Sequence, residues 1–100
     1  MTAFQETVLA LLKQIPKGKI TTYSAVARAL GKPHAARAVG NACNQNPFAT
    51  SVPCHRVVRS NGSIGGYAKG VRKKIELLNR EGIAVKNGKV LNFKKHLIEL

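Results

Sequence analysis

The stretch Thr21-Thr22-Tyr23-Ser24-Ala25-Val26-Ala27-Arg28-Ala29-Leu30-Gly31-Lys32-Pro33-His34-Ala35-Ala36-Arg37-Ala38-Val39-Gly40 decides how this chain folds. Thr21 or Thr22 offers a hydroxyl to cap a short helix that carries Val26, Ala27 and Leu30 on one face, and Gly31 stops it. Pro33 is then expected to open a second helix through Ala35, Ala36, Ala38, Val39, Ala42 and Cys43, ending near Asn46-Pro47. Two short helices across a Gly-Lys-Pro turn have the form of a helix-turn-helix. The second is built almost wholly of small residues, with Arg37 the one long side chain near its start. Small side chains let a backbone approach another surface closely, and they equally serve close packing in a core. A solitary arginine on such a helix suits phosphates or a groove.

Working outward, residues 2–14 place Phe4, Val8, Leu11, Leu12 and Ile15 at helical spacing, with Thr2 and Gln5 in the positions of a capping box. Pro16-Lys17-Gly18 ends that helix. On the other side, Pro47, Pro53, Gly62, Gly65, Gly66 and Gly70 punctuate a long loop around the short β-type stretch Arg56-Val57-Val58-Arg59. A loop of that length inside a small domain is usually functional. Residues 70–81 return to helix, with Val71, Ile75, Leu77 and Leu78 apolar and Gly82 as the stop. Asn87-Gly88 signals a tight hairpin over residues 85–90, and Lys94 to Leu100 reads as a last helical turn or two. The expected fold is mainly α: a small winged-helix-like domain over residues 1–100, with a helix-turn-helix and a short C-terminal β-hairpin.

The chain has 100 residues, about one domain with one modest core. Seventeen Lys and Arg against four Asp and Glu give a net charge of +13. Such an excess points to a polyanionic partner, since solubility needs less and self-repulsion costs stability. Nucleic acid fits better than a membrane, because no long basic helix with large apolar residues opposite is present. No apolar run reaches the roughly 18 residues of a membrane span, and Met1 to Leu12 lacks the basic front and cleavage site of a signal peptide. An intracellular location is expected.

Cys43 and Cys54 are too few for a disulfide framework and lack zinc-site spacing, and His34, His55 and His96 add no metal pattern. Cys54-His55 sits mid-loop between Pro53 and the basic Arg56 and Arg59, where cations favour a thiolate. Free cysteine is also among the most buried residue types, so Cys54 reads either as nucleophile or as core, and Cys43, among apolar neighbours, as core. Glu81 lies at a helix C-terminus, where the dipole disfavours a carboxylate; orienting a histidine would explain it, as would a surface ion pair.

Pro53-Cys54-His55-Arg56-Val57-Val58, followed by Gly65-Gly66-Tyr67 and preceded by Ala35-Ala36-Arg37-Ala38-Val39-Gly40 and Asn46-Pro47, resembles the DNA-binding and active-site domain of O6-alkylguanine-DNA alkyltransferases. The resemblance runs from about Phe4 to Gly82. It implies that Cys54 accepts the alkyl group, His55 takes the thiol proton through a water, Glu81 orients His55, and Asn46 holds the turn that presents the site. It further implies that Tyr23 helps rotate the damaged nucleotide and hydrogen-bonds the purine, while Arg37 fills the gap in the base stack. Ala36, Ala38 and Gly40 would lie against the minor groove with Arg56 as a further DNA contact, and Val57, Tyr67 and Ala68 would line the base pocket. No cofactor or metal is implied. The implied partner is duplex DNA carrying O6-alkylguanine, bound by a monomer in the cytoplasm, or in the nucleus of a eukaryote. Because the target atom lies inside the duplex, the base must be flipped out.

Two departures stand out. Full-length family members carry an additional N-terminal domain for which 100 residues leave no room, and Ala68 stands where some members have a hydroxyl residue. Alkyltransferase-like proteins consist of this domain alone and flag alkylated DNA without repairing it. They generally have Trp or another unreactive residue where this chain has Cys54. A plain helix-turn-helix regulator is a third reading, and it leaves the Cys-centred loop and Tyr23 without a purpose.

Overall fold

A computed structural model describes residues 1–48 and 51–100. Ala49 and Thr50, inside the loop expected between Pro47 and Gly70, lie outside the described residues. Helix α1 spans Ala3–Leu12, and Thr2 and Gln5 close the expected capping box: the Gln5 amide donates to Thr2 Oγ1 at 3.1 Å and the Thr2 amide to Gln5 Oε1 at 2.8 Å. After the Pro16 turn, Thr21–Thr22 form the short strand β1, and Thr22 caps α2 (Tyr23–Ala29) by accepting from the Ala25 amide at 3.0 Å.

The second helix of the pair, α3, spans Ala36–Asn44 and starts later than Pro33. Pro33 and His34 instead occupy a separate turn in which the Ala35 amide donates to the Lys32 carbonyl at 2.9 Å. That turn uses up the residues between the helices, and Ala35 supplies no side-chain cap.

Cys54–Arg56 form one turn of 3-10 helix leading into β2 (Val57–Val58), which pairs parallel with β1, Thr21 opposite Val57 and Thr22 opposite Val58. Alternation along β2 sends its two valines to different sides. Val57 joins the cluster of Val8, Leu12, Ile15, Val26, Val39 and Cys43 between α1, α2 and α3. Val58 joins Ile20, Ile64, Leu78, Ile83 and Val90. Helix α4 (Val71–Arg80) and the antiparallel hairpin β3 (Val85–Lys86) and β4 (Lys89–Val90) cover the second cluster.

The C-terminus departs from the helical reading of Lys94 to Leu100. Helix α5 covers only Phe93–His96, and Leu97 then bridges in parallel to Ile20. The Ile20 amide donates to the His96 carbonyl at 2.9 Å and the Ile98 amide to the Ile20 carbonyl at 2.8 Å. Residues just before β1 have backbone groups to satisfy, and an extended tail supplies them where a helix cannot.

Candidate active site

The parallel β1–β2 ladder places the start of α2, with Tyr23, beside the turn that carries Cys54 and His55. Cys54 is 2% exposed and belongs to the first core cluster, so its burial is that of a core residue. Asn46, itself buried, donates from Nδ2 to Cys54 Sγ at 3.3 Å and to the Val52 carbonyl at 3.1 Å. Its Oδ1 accepts from the Phe48 amide at 2.8 Å, so one amide group fixes both the loop and the sulfur. Burial pushes the Cys54 thiol up; the Asn46 hydrogen bond and the Lys74 charge oppose that rise. Cys43 is pushed up to about 12, chiefly by burial, and is a core thiol.

His55 is buried, and its Nε2 lies 3.0 Å from Glu81 Oε2, at the C-terminal end of α4. Glu81 is held from the other side by Arg56, whose Nε and Nη2 donate to Oε1 at 2.9 Å and Oε2 at 2.7 Å. Arg56 Nη1 also donates to the Ile15 carbonyl at 2.7 Å. Burial raises the Glu81 carboxyl, but Arg56 and His55 together outweigh it and hold the group down at about 2. His55 is lowered, with burial the largest cause, so at neutral pH its ring is neutral. With Nε2–H given to Glu81, Nδ1 is the acceptor nitrogen, and it has no partner among the described residues. The unfavourable placement of Glu81 at a helix end is thus offset by two specific partners.

Arg56 is held inside the chain. Expected on DNA, its side chain is only 16% exposed and forms a bidentate clamp that orients Glu81.

Lys74 is the side chain that sequence reasoning misses. It is fully buried on α4, and its Nζ donates to the Val57 carbonyl at 2.7 Å, the Gly66 carbonyl at 3.0 Å and Tyr23 Oη at 3.3 Å. Burial brings its pKa down to about 8. Burial also raises the Tyr23 phenol far above its ordinary range, keeping it a hydrogen-bond donor. The ring passes Gly40 of α3, where an added Cβ would meet Tyr23 Cδ1 at 3.9 Å.

In front of Tyr23 opens a cavity of about 560 Å³ lined by Tyr23, Ser24, Ala36, Arg37, Gly40, Asn41, Asn44, Arg59, Ser60, Asn61 and Gly66. Ala36, Arg37 and Gly40 therefore share one opening, and exposed Ala38 lies on the same helix outside its lining. The three residues expected to line a base pocket are not among the lining residues. Val57 is fully buried, Ala68 is exposed, and Tyr67 is 9% exposed with its ring edge-on to His55 at 6.4 Å between centroids. Tyr67 Oη is buried without a partner among the described residues. Among the described residues no three His, Cys, Asp or Glu side chains cluster as metal ligands would, and no helix is long and apolar enough to cross a membrane.

Residues 3–83 match the family model of the 6-O-methylguanine DNA methyltransferase DNA-binding domain. The chain belongs to this family. Among its relatives, the methylated-DNA–protein-cysteine methyltransferase of Methanosarcina acetivorans is 51% identical over 81 residues, covering 81% of this chain and 52% of that protein. The bifunctional transcriptional activator and DNA repair enzyme Ada of Escherichia coli is 50% identical over 80 residues, 80% of this chain and 23% of Ada. The chain thus spans about half the length of the curated methyltransferases it matches and a quarter of Ada.

Family structures align closely. The Mycobacterium tuberculosis OGT complex with DNA superposes with a TM-score of 0.79 at 44% identity, over 81% of this chain and 50% of that one. Schizosaccharomyces pombe Atl1, in complex with damaged DNA containing O6-carboxymethylguanine, superposes with a TM-score of 0.87 at 32% identity, over 100% of this chain and 98% of Atl1. The helix-turn-helix of the methyltransferase family is therefore the pair α2 and α3.

Proposed function

We propose that this chain repairs DNA by extruding an O6-alkylguanine from the duplex and transferring the alkyl group irreversibly to Cys54. The observation that carries this reading is a buried thiol that accepts a hydrogen bond from Asn46 and is followed by a histidine locked to a carboxylate. In the reaction the thiol proton passes to His55 Nδ1 through a water, and Sγ attacks the alkyl carbon. The carbon–sulfur bond forms as the carbon–O6 bond breaks, and guanine leaves with the bond's electron pair and takes up a proton. Tyr23, kept protonated, donates to the purine ring as negative charge builds there, and Lys74 supports both Tyr23 and the developing thiolate. In this reading Val57, Tyr67 and Ala68, all outside the lining of the open cavity, meet the base only once it is extruded. A thioether has no easy route back to a thiol, so each molecule acts once.

The +13 charge supplies sequence-independent grip on phosphates, and Arg37 on α3 takes the space of the extruded base. In this reading the protein works as a monomer on duplex DNA, in the cytoplasm or in the nucleus of a eukaryote.

A second reading is favoured by one observation: Atl1 matches the whole chain, with the higher TM-score of the two structures above. In that reading the protein marks alkylated DNA without repairing it. Cys54, with His55 and Glu81 in contact behind it, favours transfer. Intact mass after mixing with a duplex holding one O6-methylguanine separates the two. A gain of one methyl group that vanishes in Cys54→Ala establishes transfer. No gain, together with tight damage-selective binding, establishes flagging.

A further inference from the structure

The transfer chemistry leaves one cation of the cavity unused. Arg59 follows β2, is exposed, and pairs with no carboxylate among the described residues. It sits on a stiff turn. Its amide donates to the Ser63 carbonyl at 2.8 Å, the Gly62 amide donates to its carbonyl at 3.0 Å, and Asn61 Oδ1 accepts from the Ser63 amide at 3.0 Å. The C-terminal hairpin braces that turn: the Ile64 amide donates to the Gly88 carbonyl at 3.0 Å and the Val90 amide to the Gly62 carbonyl at 2.9 Å.

Arg59, Ser60 and Asn61 line the cavity together with Arg37, Asn41 and Asn44 of α3. Among the described residues no carboxylate lines the opening. Two guanidinium groups with hydroxyl and amide donors between them suit an anion better than the neutral face of a purine. The Arg59 charge is also felt at Tyr23, which lines the same cavity, and at Lys74. A nucleotide turning out of a duplex brings its flanking phosphates to the mouth as its base goes inward.

We propose that Arg59 is a phosphate clamp for the extruded nucleotide, taking the backbone phosphate adjacent to the lesion at the cavity it shares with Arg37. This rests on the base-extrusion reading above and adds a residue that sets affinity for the flipped state.

The test is a double-mutant cycle between protein and DNA, read by fluorescence anisotropy with the full chain. One duplex carries O6-methylguanine; others carry in addition a neutral methylphosphonate at the phosphate on the 5′ or the 3′ side of the lesion. Cys54→Ala serves as background so that binding is measured without turnover. Arg59→Ala is expected to weaken binding to the damaged duplex about tenfold and to lower the slope of log affinity against log salt by about 0.9. At one of the two positions, methylphosphonate should weaken the Arg59-containing protein by a similar factor and the alanine variant hardly at all. Arg59→Lys should recover part of the loss. Losses that simply multiply at both positions, an unchanged salt slope, or an equal loss on undamaged duplex would each overturn the clamp. Intact mass of the chain with native Cys54 on the same damaged duplex reports separately. Absence of methyl transfer there counts against the repair reading, while the coupling measured between Arg59 and the phosphate still decides the clamp.

Discussion

Lys74 Nζ lies 3.3 Å from Tyr23 Oη, so the one fully buried cation among the described residues touches the phenol at the cavity wall. Its other two bonds go to the Val57 and Gly66 carbonyls. With no carboxylate bonded to it among the described residues, this ammonium is free to act on whatever negative charge develops near Tyr23 and Cys54. Lys74→Met is expected to slow methyl transfer about a hundredfold, as loss of a preorganised donor does elsewhere. The fold should persist at a lower melting temperature, since the cost of burying the charge disappears but the Val57 and Gly66 carbonyls lose their donor. A rapid-quench rate within twofold of the native chain would remove Lys74 from the mechanism.

The same lysine shapes the pH profile. The Cys54 thiol is raised, so the thiolate fraction and the rate should climb with pH through the neutral range. Lys74 gives up its proton near pH 8, below the range in which the raised Cys54 thiol ionises, which withdraws the cation while the thiolate is still the minor form. A break from a rising limb to a plateau near pH 8 is therefore expected, and Lys74→Arg should move the break to higher pH. A profile that rises without a break to pH 10 in the native chain would contradict this.

Gly65 adopts a φ of +71°, and a Cβ built there would lie 2.9 Å from Tyr23 Oη. The neighbour is a ring tip braced by Lys74, and it has no easy way to give. Gly65→Ala should cost about 1–2 kcal/mol of stability and lower the transfer rate more than tenfold by displacing the phenol. Urea unfolding and single-turnover kinetics measure the two effects. Unchanged transfer in a folded variant would mean that the position of Tyr23 is unimportant.

Asn46 holds three partners at once, the Val52 carbonyl, the Phe48 amide and the Cys54 sulfur. Asn46→Ala leaves them unpaired and should destabilise the domain by about 2 kcal/mol. It should also raise the pH at which Cys54 alkylates with iodoacetamide, since the bond to sulfur favours the thiolate. A variant with normal stability and the same alkylation profile would show that the loop is held by other means.

Glu81 is 10% exposed and held at about 2 against an ordinary value of 4.5. A depressed carboxyl stabilises the fold fully above its unfolded pKa, and the benefit drains away as pH falls from about 4.5 towards 2. Glu81→Gln should lose on the order of 2 kcal/mol at pH 7 and unfold with a flatter acid limb. Chemical denaturation from pH 7 to pH 3 checks the slope. Identical slopes in both proteins would mean that the carboxylate is no better paired folded than unfolded.

Most of the scaffold is legible in the sequence because its signals are local. The Thr2–Gln5 box, the Thr22 cap and the Asn87-Gly88 hairpin each declare themselves within a few residues. Cys54, His55 and Glu81 are legible through their pattern, and His55 and Glu81 meet as expected. Lys74 is hidden in the run Arg72-Lys73-Lys74, which looks like a solvated helix face. Its one clue is its position four residues before buried Leu78, on the inward stripe of α4. Arg56 is the converse case: a basic residue in a basic protein suggests DNA, and only the fold reveals the carboxylate it faces. The tail after His96 escapes a local reading because its pairing with Ile20 is distant in sequence and leaves no mark nearby.

The parallel pairing of Thr21-Thr22 with Val57-Val58 also has a kinetic side. Parallel neighbours cannot be joined by a tight turn, so this contact must wait until the helices between the two segments have collapsed and the loop through Pro53 has closed. Helices α1 to α3 alone would lack the turn that carries Cys54 and His55. The methyl-accepting capacity of a freshly made chain should therefore appear in step with the last long-range contacts, making a covalent assay a clock for the completion of folding.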